Sequence, residues 1–147
     1  MYVAQDPSDI RATEIDYISD ETFVRASREL TLAAAKAGQD AFLYVFGRNM
    51  GQPDERASHY MEVKYVFNKL PKSAPKEDER LSRTMMAYWT RFARSGNSNR
   101  DGLLAWPPLN LTEQPHLRLN VEMAQGQDDR RERLDALDAY YSNKLTP

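Results

Sequence analysis

The chain contains no cysteine, which excludes disulfides, a thiolate nucleophile and a cysteine-built zinc site within its 147 residues. It has only two histidines, His59 and His116, too far apart to give the paired spacing of metal ligands. No apolar run approaches the ~20 residues of a membrane-spanning helix. Neither sign of charge dominates: 20 basic residues against 22 acidic ones leave a net charge of −2. That balance gives no long-range pull towards nucleic acid or anionic lipid. A Gly-rich phosphate loop, an internal repeat and a low-complexity segment are all missing. So is any G-x-S-x-G, and with it the strained turn that presents a nucleophilic serine. The first twenty residues have neither a basic n-region nor an apolar h-region, so no targeting signal is read there. The compartment stays open between secreted, periplasmic and cytoplasmic.

What is present has the composition of a globular chain, 41% apolar and 29% charged. Residues 1–19 read as an irregular lead-in. Asp20 has the chemistry of an N-cap, and Glu21 favours the positive end of a helix dipole. Phe23, Ala26, Leu30, Ala33, Ala34 and Ala37 recur at three- and four-residue spacing, which predicts a helix over about 21–37. Gly38 is placed to end it, since a residue without Cβ tolerates positive φ. The run 41–46 (AFLYVF) is short and apolar without alternation, which suits a strand buried on both faces. Residues 48–58 hold Gly51 and Pro53 and read as a loop, with His59 at its end. A short helix is expected over 60–67 and a second loop over 70–76. Glu77, Asp78 and Glu79 then open a helix striped by Leu81, Met85, Tyr88, Trp89 and Phe92 and ended by Gly96. Residues 97–115 are loop-like around Trp106-Pro107-Pro108. Leu117 and Leu119 alternate with Arg118 and Asn120, as in a strand with one wet face. Asp128 and Asp129 start a last helix carrying Leu134, Leu137 and Tyr141.

This order of helices and strands belongs to the α/β class. Two strands are too few for a self-sufficient sheet, and a strand apolar on both faces needs neighbours and cover that the chain does not supply. The pattern itself points to an incomplete domain.

His59 is the residue with the most chemical promise. Imidazole titrates near working pH, so it can accept the proton of a serine hydroxyl that is otherwise a poor nucleophile. Ala57-Ser58-His59-Tyr60-Met61-Glu62 is followed by Tyr65-Val66-Phe67-Asn68, and then in order by Leu81-Ser82, Met86, Tyr88-Trp89, Phe92-Ala93, Gly96-Asn97-Ser98-Asn99 and Trp106-Pro107. Upstream stand Asp20-x-x-Phe23 and the strand Phe42 to Phe46. From about residue 16 to residue 141 this series resembles the C-terminal part of the type B carboxylesterase/cholinesterase family of α/β hydrolases.

The resemblance implies that residues 1–147 are the C-terminal segment of a carboxylesterase domain, with helices packed on the last strands of an α/β-hydrolase sheet. It implies a serine hydrolase of carboxylic esters, needing no cofactor and no metal, in which His59 is the catalytic base. The serine, the acid and the oxyanion donors then lie upstream, and the isolated chain is inactive. The missing N-terminal part of the same domain and a small-molecule ester are the implied partners; no nucleic acid and no membrane span are expected. Residues 128–143 become a candidate homodimer surface. Three positions depart from the family pattern: Arg56 replaces Gly, Tyr60 a small residue and Ser98 a Pro. Tyr60 bears on function, because a bulky ring beside the base crowds the nucleophile. A catalytically dead interaction or adhesion module of the same fold is therefore the alternative, and a free-standing helical binding domain a further one. Tyr60, with Met61 and Met50, is a candidate lining residue for a substrate pocket.

The other candidates read as structural. Glu62 lies one helical turn from His59 but suits a buried hydrogen-bonding role, since the resemblance puts the triad acid upstream. Asp54 and Glu55 read as solvated loop carboxylates. Ser58 adjoins His59, and neighbouring side chains diverge. His116 reads as an edge or surface residue, and the Tyr88, Trp89, Phe92 stripe as core. Arg130, Arg131 and Arg133, interleaved with Asp128, Asp129, Glu132 and Asp135, read as a solvated face of mixed charge.

Overall fold

A computed structural model of the chain describes residues 2–50, 57–127 and 130–145. Among the described residues it holds one long helix, a small sheet and three further helices, and the sheet with two of these helices encloses a core made by Tyr65, Leu81, Met85, Tyr88, Trp106, Leu117 and Leu119. Among the described residues, no helix is long and apolar enough to cross a membrane.

The lead-in is helical, not irregular. Asp6 accepts the Ser8 N–H at 2.7 Å and Pro7 stands at the first helical position, both good starts for a helix. A 3-10 turn, Pro7–Asp9, runs into α1, Ile10–Ser19, then into a π-helical stretch, Asp20–Val24, and α2, Arg25–Lys36. Asp20 is therefore not an N-cap. It sits in mid-helix with its side chain fully buried, where it accepts from Tyr2 Oη at 2.9 Å and pairs with Arg130 and Arg133. In the π-helical stretch the Arg25 N–H reaches back five residues to the Asp20 carbonyl. The far end of α2 is as the sequence predicts. Gly38 adopts φ +75°, its N–H bonds to Ala35 O, and Gln39 N–H bonds to Ala34 O, a Schellman closure.

The apolar stripe expected to bury α2 faces outward: Leu30 is 75% and Phe23 42% exposed. The buried position is Arg28, which donates to Gln114 Oε1 at 2.8 Å, Asp135 at 2.7 Å and Asp138 at 3.1 Å. Asp135 and Asp138 belong to α5, Arg131–Leu145. The Arg130 and Arg133 pairs to Asp20 and Asp16 add to this network, and Tyr141 Oη donates to Glu21 at 2.7 Å. Arg130, Arg133 and Asp135 thus join the start of the last helix to the long helix, whereas Glu132 is exposed as expected and Arg131 donates to Thr112 O at 2.6 Å. Asp128 and Asp129 lie outside the described residues.

The sheet has three strands in the order β1-β2-β3. β1 is Tyr44–Phe46, shorter than the predicted 41–46, and pairs in parallel with β2, His116–Leu119, with Tyr44 opposite Leu117. β3, Ala124–Gly126, lies antiparallel on the other side of β2. Tyr44, Phe46, Leu117 and Leu119 turn one face to the core. The opposite face carries Val45, 45% exposed, beside Arg118, so β1 is buried on one side only. His116 is a buried residue of the central strand, not an edge residue. Gly126 faces it across the ladder, and a Cβ there would stand 2.5 Å from His116 Nε2. Gly126→Ala is expected to cost about 1–3 kcal/mol by overpacking, read as a lower midpoint in urea.

The core side of the sheet is covered by α3, Met61–Val66, and α4, Lys76–Ser95. Gly96 ends α4 with φ +69°. Trp106 is buried and locks the following loop: its Nε1–H donates to Leu43 O at 2.9 Å, while Asn99 brackets its backbone with bonds of 2.7 and 2.8 Å.

Candidate active site

His59 sits where the β1–α3 connection turns into α3. The Met61 N–H bonds to Ser58 O at 3.1 Å, and Tyr60, third in this four-residue turn, has φ +72° and ψ 0°. That is the third-position geometry of a type II turn, which favours glycine. A non-glycine residue there costs roughly 1–2 kcal/mol because Cβ crowds the following carbonyl oxygen. The small residue that the related pattern has at position 60 thus has a backbone reason. Tyr60→Gly is expected to exceed Tyr60→Ala in stability by about 1 kcal/mol, since both variants lose the ring and only one relieves the backbone. Thermal melts of the two variants make the comparison.

The His59 ring is exposed and stacks on Phe23 from the π-helical stretch, with centroids 4.2 Å apart and planes inclined by 20°. Tyr60 meets it edge-on at 4.6 Å. Among the described residues His59 makes no hydrogen bond, so its contacts are two rings and both nitrogens are open. In the sequence Phe23 belongs to an apolar helix face and to the motif Asp20-x-x-Phe23, neither of which shows that its ring meets His59.

The flanks of the loop are held by a buried charge cluster. Arg48, two residues beyond β1, donates to Asp78 through two nitrogens, each at 2.8 Å. Tyr65 Oη, from α3, donates to the same carboxylate at 2.5 Å. Asp78 itself is wholly buried in the first turn of α4. The Arg48 hydrogen bonds hold its carboxyl below the ordinary range against the opposing effect of burial, and the Tyr65 hydroxyl adds to this. Burial and then the bond to Asp78 push the Tyr65 phenol well above its usual value. Ser82 Oγ donates to Tyr65 O at 2.7 Å and closes α3 onto α4. One carboxylate thus ties together the incoming strand, α3 and α4, and fixes both ends of the segment that carries His59.

The remaining candidates are placed plainly. Glu62 is half-buried in the first turn of α3 and contributes, after burial, to raising the Tyr44 phenol. No hydrogen bond joins it to His59 among the described residues. Ser58 is exposed, Met50 and Met61 pack partly buried against the core, and Ser98 is buried. Arg56, Asp54 and Glu55 lie outside the described residues. Among the described residues no group of three or more His, Asp or Glu side chains is placed to hold a metal ion.

Comparison with known proteins gives this arrangement a family. The carboxylesterase family model matches residues 1–137. The chain is 36% identical over 119 residues to a medium-chain fatty acyl-CoA hydrolase precursor of Anas platyrhynchos, covering 76% of this chain and 21% of that protein. It is 34% identical over 143 residues to carboxylesterase 5A of Homo sapiens, covering 87% of this chain and 24% of the relative. The chain therefore spans less than a quarter of the length of these relatives. A solved PNB esterase superposes with a TM-score of 0.71 at 23% identity, over 84% of this chain and 27% of that structure, which gives the α/β-hydrolase fold. The chain belongs to the type B carboxylesterase family.

Proposed function

We propose that this chain is the C-terminal part of an α/β-hydrolase domain that cleaves carboxylic esters, with His59 as its general base. One observation carries the assignment: an exposed imidazole with both nitrogens open, held on a strained turn between the last residues of β1 and α3. A base in a serine hydrolase needs both nitrogens, one for the acid that fixes its tautomer and one for the hydroxyl. His59 takes the serine proton as the serine oxygen bonds to the ester carbonyl carbon. It returns that proton to the leaving alcohol as the C–O bond breaks, then takes a proton from water as the water oxygen bonds to the acyl carbon, and gives it back to the serine oxygen as the serine ester bond breaks and the acid leaves. The serine, the acid and the oxyanion donors belong to the upstream part of the domain. That part is the partner which covers Leu30, Phe23 and the open sheet face at Val45. The family relatives named above support an ester or thioester substrate, and α5 within residues 128–143, where Tyr140 is exposed, is the surface assigned to subunit contact.

The test is hydrolysis of p-nitrophenyl acetate. The 147-residue chain is expected to show no turnover above buffer, and the complete hydrolase to show saturable turnover. Hydrolysis by the chain alone that disappears in His59→Ala overturns the division of labour. A second reading, a folded but inactive adhesion-type module, is favoured by the Tyr60 ring set against His59 at 4.6 Å. A fluorophosphonate that labels one serine of the complete protein supports the hydrolase, and absence of labelling in the folded protein supports the inactive module.

A further inference from the structure

The inward face of α4 is spent on the core through Leu81, Met85 and Tyr88. From Arg83 to its end the helix carries no acidic residue. Arg83, Arg91 and Arg94 stand at i, i+8 and i+11, and therefore fall within about 80° of the helix surface over about 16 Å. Met86 and the short residues Ala87 and Thr90 line the depression beside them. Gly96 then reverses the chain, and Arg100 comes back to join the same depression, which has a volume of about 540 Å³. The position of Arg100 is built, not incidental: the preceding residue is Asn99, whose side chain is clamped to the backbone of buried Trp106.

Four guanidiniums thus line one hollow in a chain whose net charge is −2. Arg83 has one loose carboxylate neighbour, Glu79 at 3.8 Å, with both side chains more than half exposed. Among the described residues, Arg91, Arg94 and Arg100 have no carboxylate within ion-pair distance. Compensation of the helix dipole accounts for Arg94 in the last turn and in part for Arg91, because the effect fades within a turn. It does not account for Arg83 in the first half of the helix or for Arg100 beyond its end. Like charges gathered in one hollow repel unless an anion sits among them. Arginine, unlike lysine, offers a planar fork that grips two oxygens of one phosphoryl group.

We propose that this groove binds a soluble small molecule carrying two linked phosphoryl groups, held by the forks of Arg83, Arg91, Arg94 and Arg100 with Met86 and Ala87 beneath its less polar part. The site lies on the outer side of α4, and the proposal is independent of the role of His59.

Pyrophosphate is the probe, titrated into the protein by calorimetry at low and at physiological salt. Saturable binding of one equivalent is expected, weakened about tenfold by Arg94→Ala and again by Arg100→Ala, as removal of a charge-assisted bond implies. Arg91→Lys keeps the charge but loses the fork, and is expected to weaken binding severalfold. Arg11→Ala, an exposed charge on α1, is expected to leave binding unchanged. Circular dichroism confirms that each surface variant keeps its helix content. Four results overturn the proposal: no saturable binding; equal loss in Arg11→Ala, which means charge alone; no effect of Arg91→Lys, which means no fork; or binding to phosphatidate-containing vesicles without binding to pyrophosphate, which makes the surface a lipid contact.

Discussion

His59→Gln in the complete hydrolase is expected to lower kcat by about 10⁴-fold or more, with KM little changed, as loss of a group that acts only in the transition state requires. In the 147-residue chain the same substitution is expected to change stability by no more than about 0.5 kcal/mol. His59 is exposed and has no hydrogen bond to lose among the described residues; only its stacking on Phe23 and Tyr60 is altered. That separation is what gives the experiment its force. A structural histidine would lose melting temperature and activity together, whereas a base loses activity alone. Steady-state kinetics beside a thermal melt decide it, and a variant that keeps more than a tenth of kcat rules His59 out as the base.

The largest loss of stability is expected at Asp78. Asp78→Ala leaves Arg48 without its two bonds and the Tyr65 hydroxyl without its acceptor, in a site where Asp78 is fully buried and the Arg48 side chain only 16% exposed. Breaking a buried pair in this way costs about 3 kcal/mol or more. The pair as a unit is worth less than its rupture. Arg48→Met combined with Asp78→Leu is expected to recover most of the loss, because neither charge is then stranded. Recovery smaller than a third of the single-variant loss would show that the cluster adds net stability.

The same cluster sets a dependence on pH at both ends. Asp78 has a folded pKa below its ordinary value near 4, so its contribution is complete above that value and is lost as pH falls through the folded pKa. Tyr65 has a folded pKa above its ordinary value near 10, so its contribution is complete below that value and fades as pH rises further. Asp78→Asn is expected to flatten the acid limb while leaving most of the alkaline one, since burial is the larger cause at Tyr65. Urea midpoints measured from pH 3 to pH 11 test both limbs.

Much of this organisation was readable in advance, and the reasons are local. Gly38 and Gly96 terminate helices through their own backbone freedom, and the stripe of α4 reports its own buried face at Leu81, Met85 and Tyr88 but not at Phe92, which is 45% exposed beyond the reach of the core. The ordered motifs on either side single out His59 as a candidate, and the fold sets it on the turn into α3. α1 was not, because Ile10, Ile15 and Ile18 are all exposed and leave no periodic stripe to read. β3 escaped because Ala-Gln-Gly has no strand signal; its place follows from the ladder offered by β2. Asp20 misled for a different reason, and at Asp78 the helix start read from the sequence holds but the burial does not show. Each has a sound local reading, cap or dipole partner, and each is claimed by residues that the fold brings up: Arg130 from 110 positions away and Arg48 from 30. Burial of a carboxylate is a property of its distant partners, which a window of sequence does not contain.

The π-helical stretch at Asp20–Val24 gives the chain an unequal tolerance to evolutionary change. One additional residue in a turn rotates everything on one side of it by about 100° relative to the other. Deleting a single residue there would restore an unbroken α-helix with no local penalty. It would also swing Asp16 and Asp20 out of phase with Arg133 and Arg130, or else carry Phe23 away from the face of His59. Substitutions along this helix can accumulate one at a time, but its length is frozen, because a single register serves both the grip on the last helix and the ring beneath the histidine.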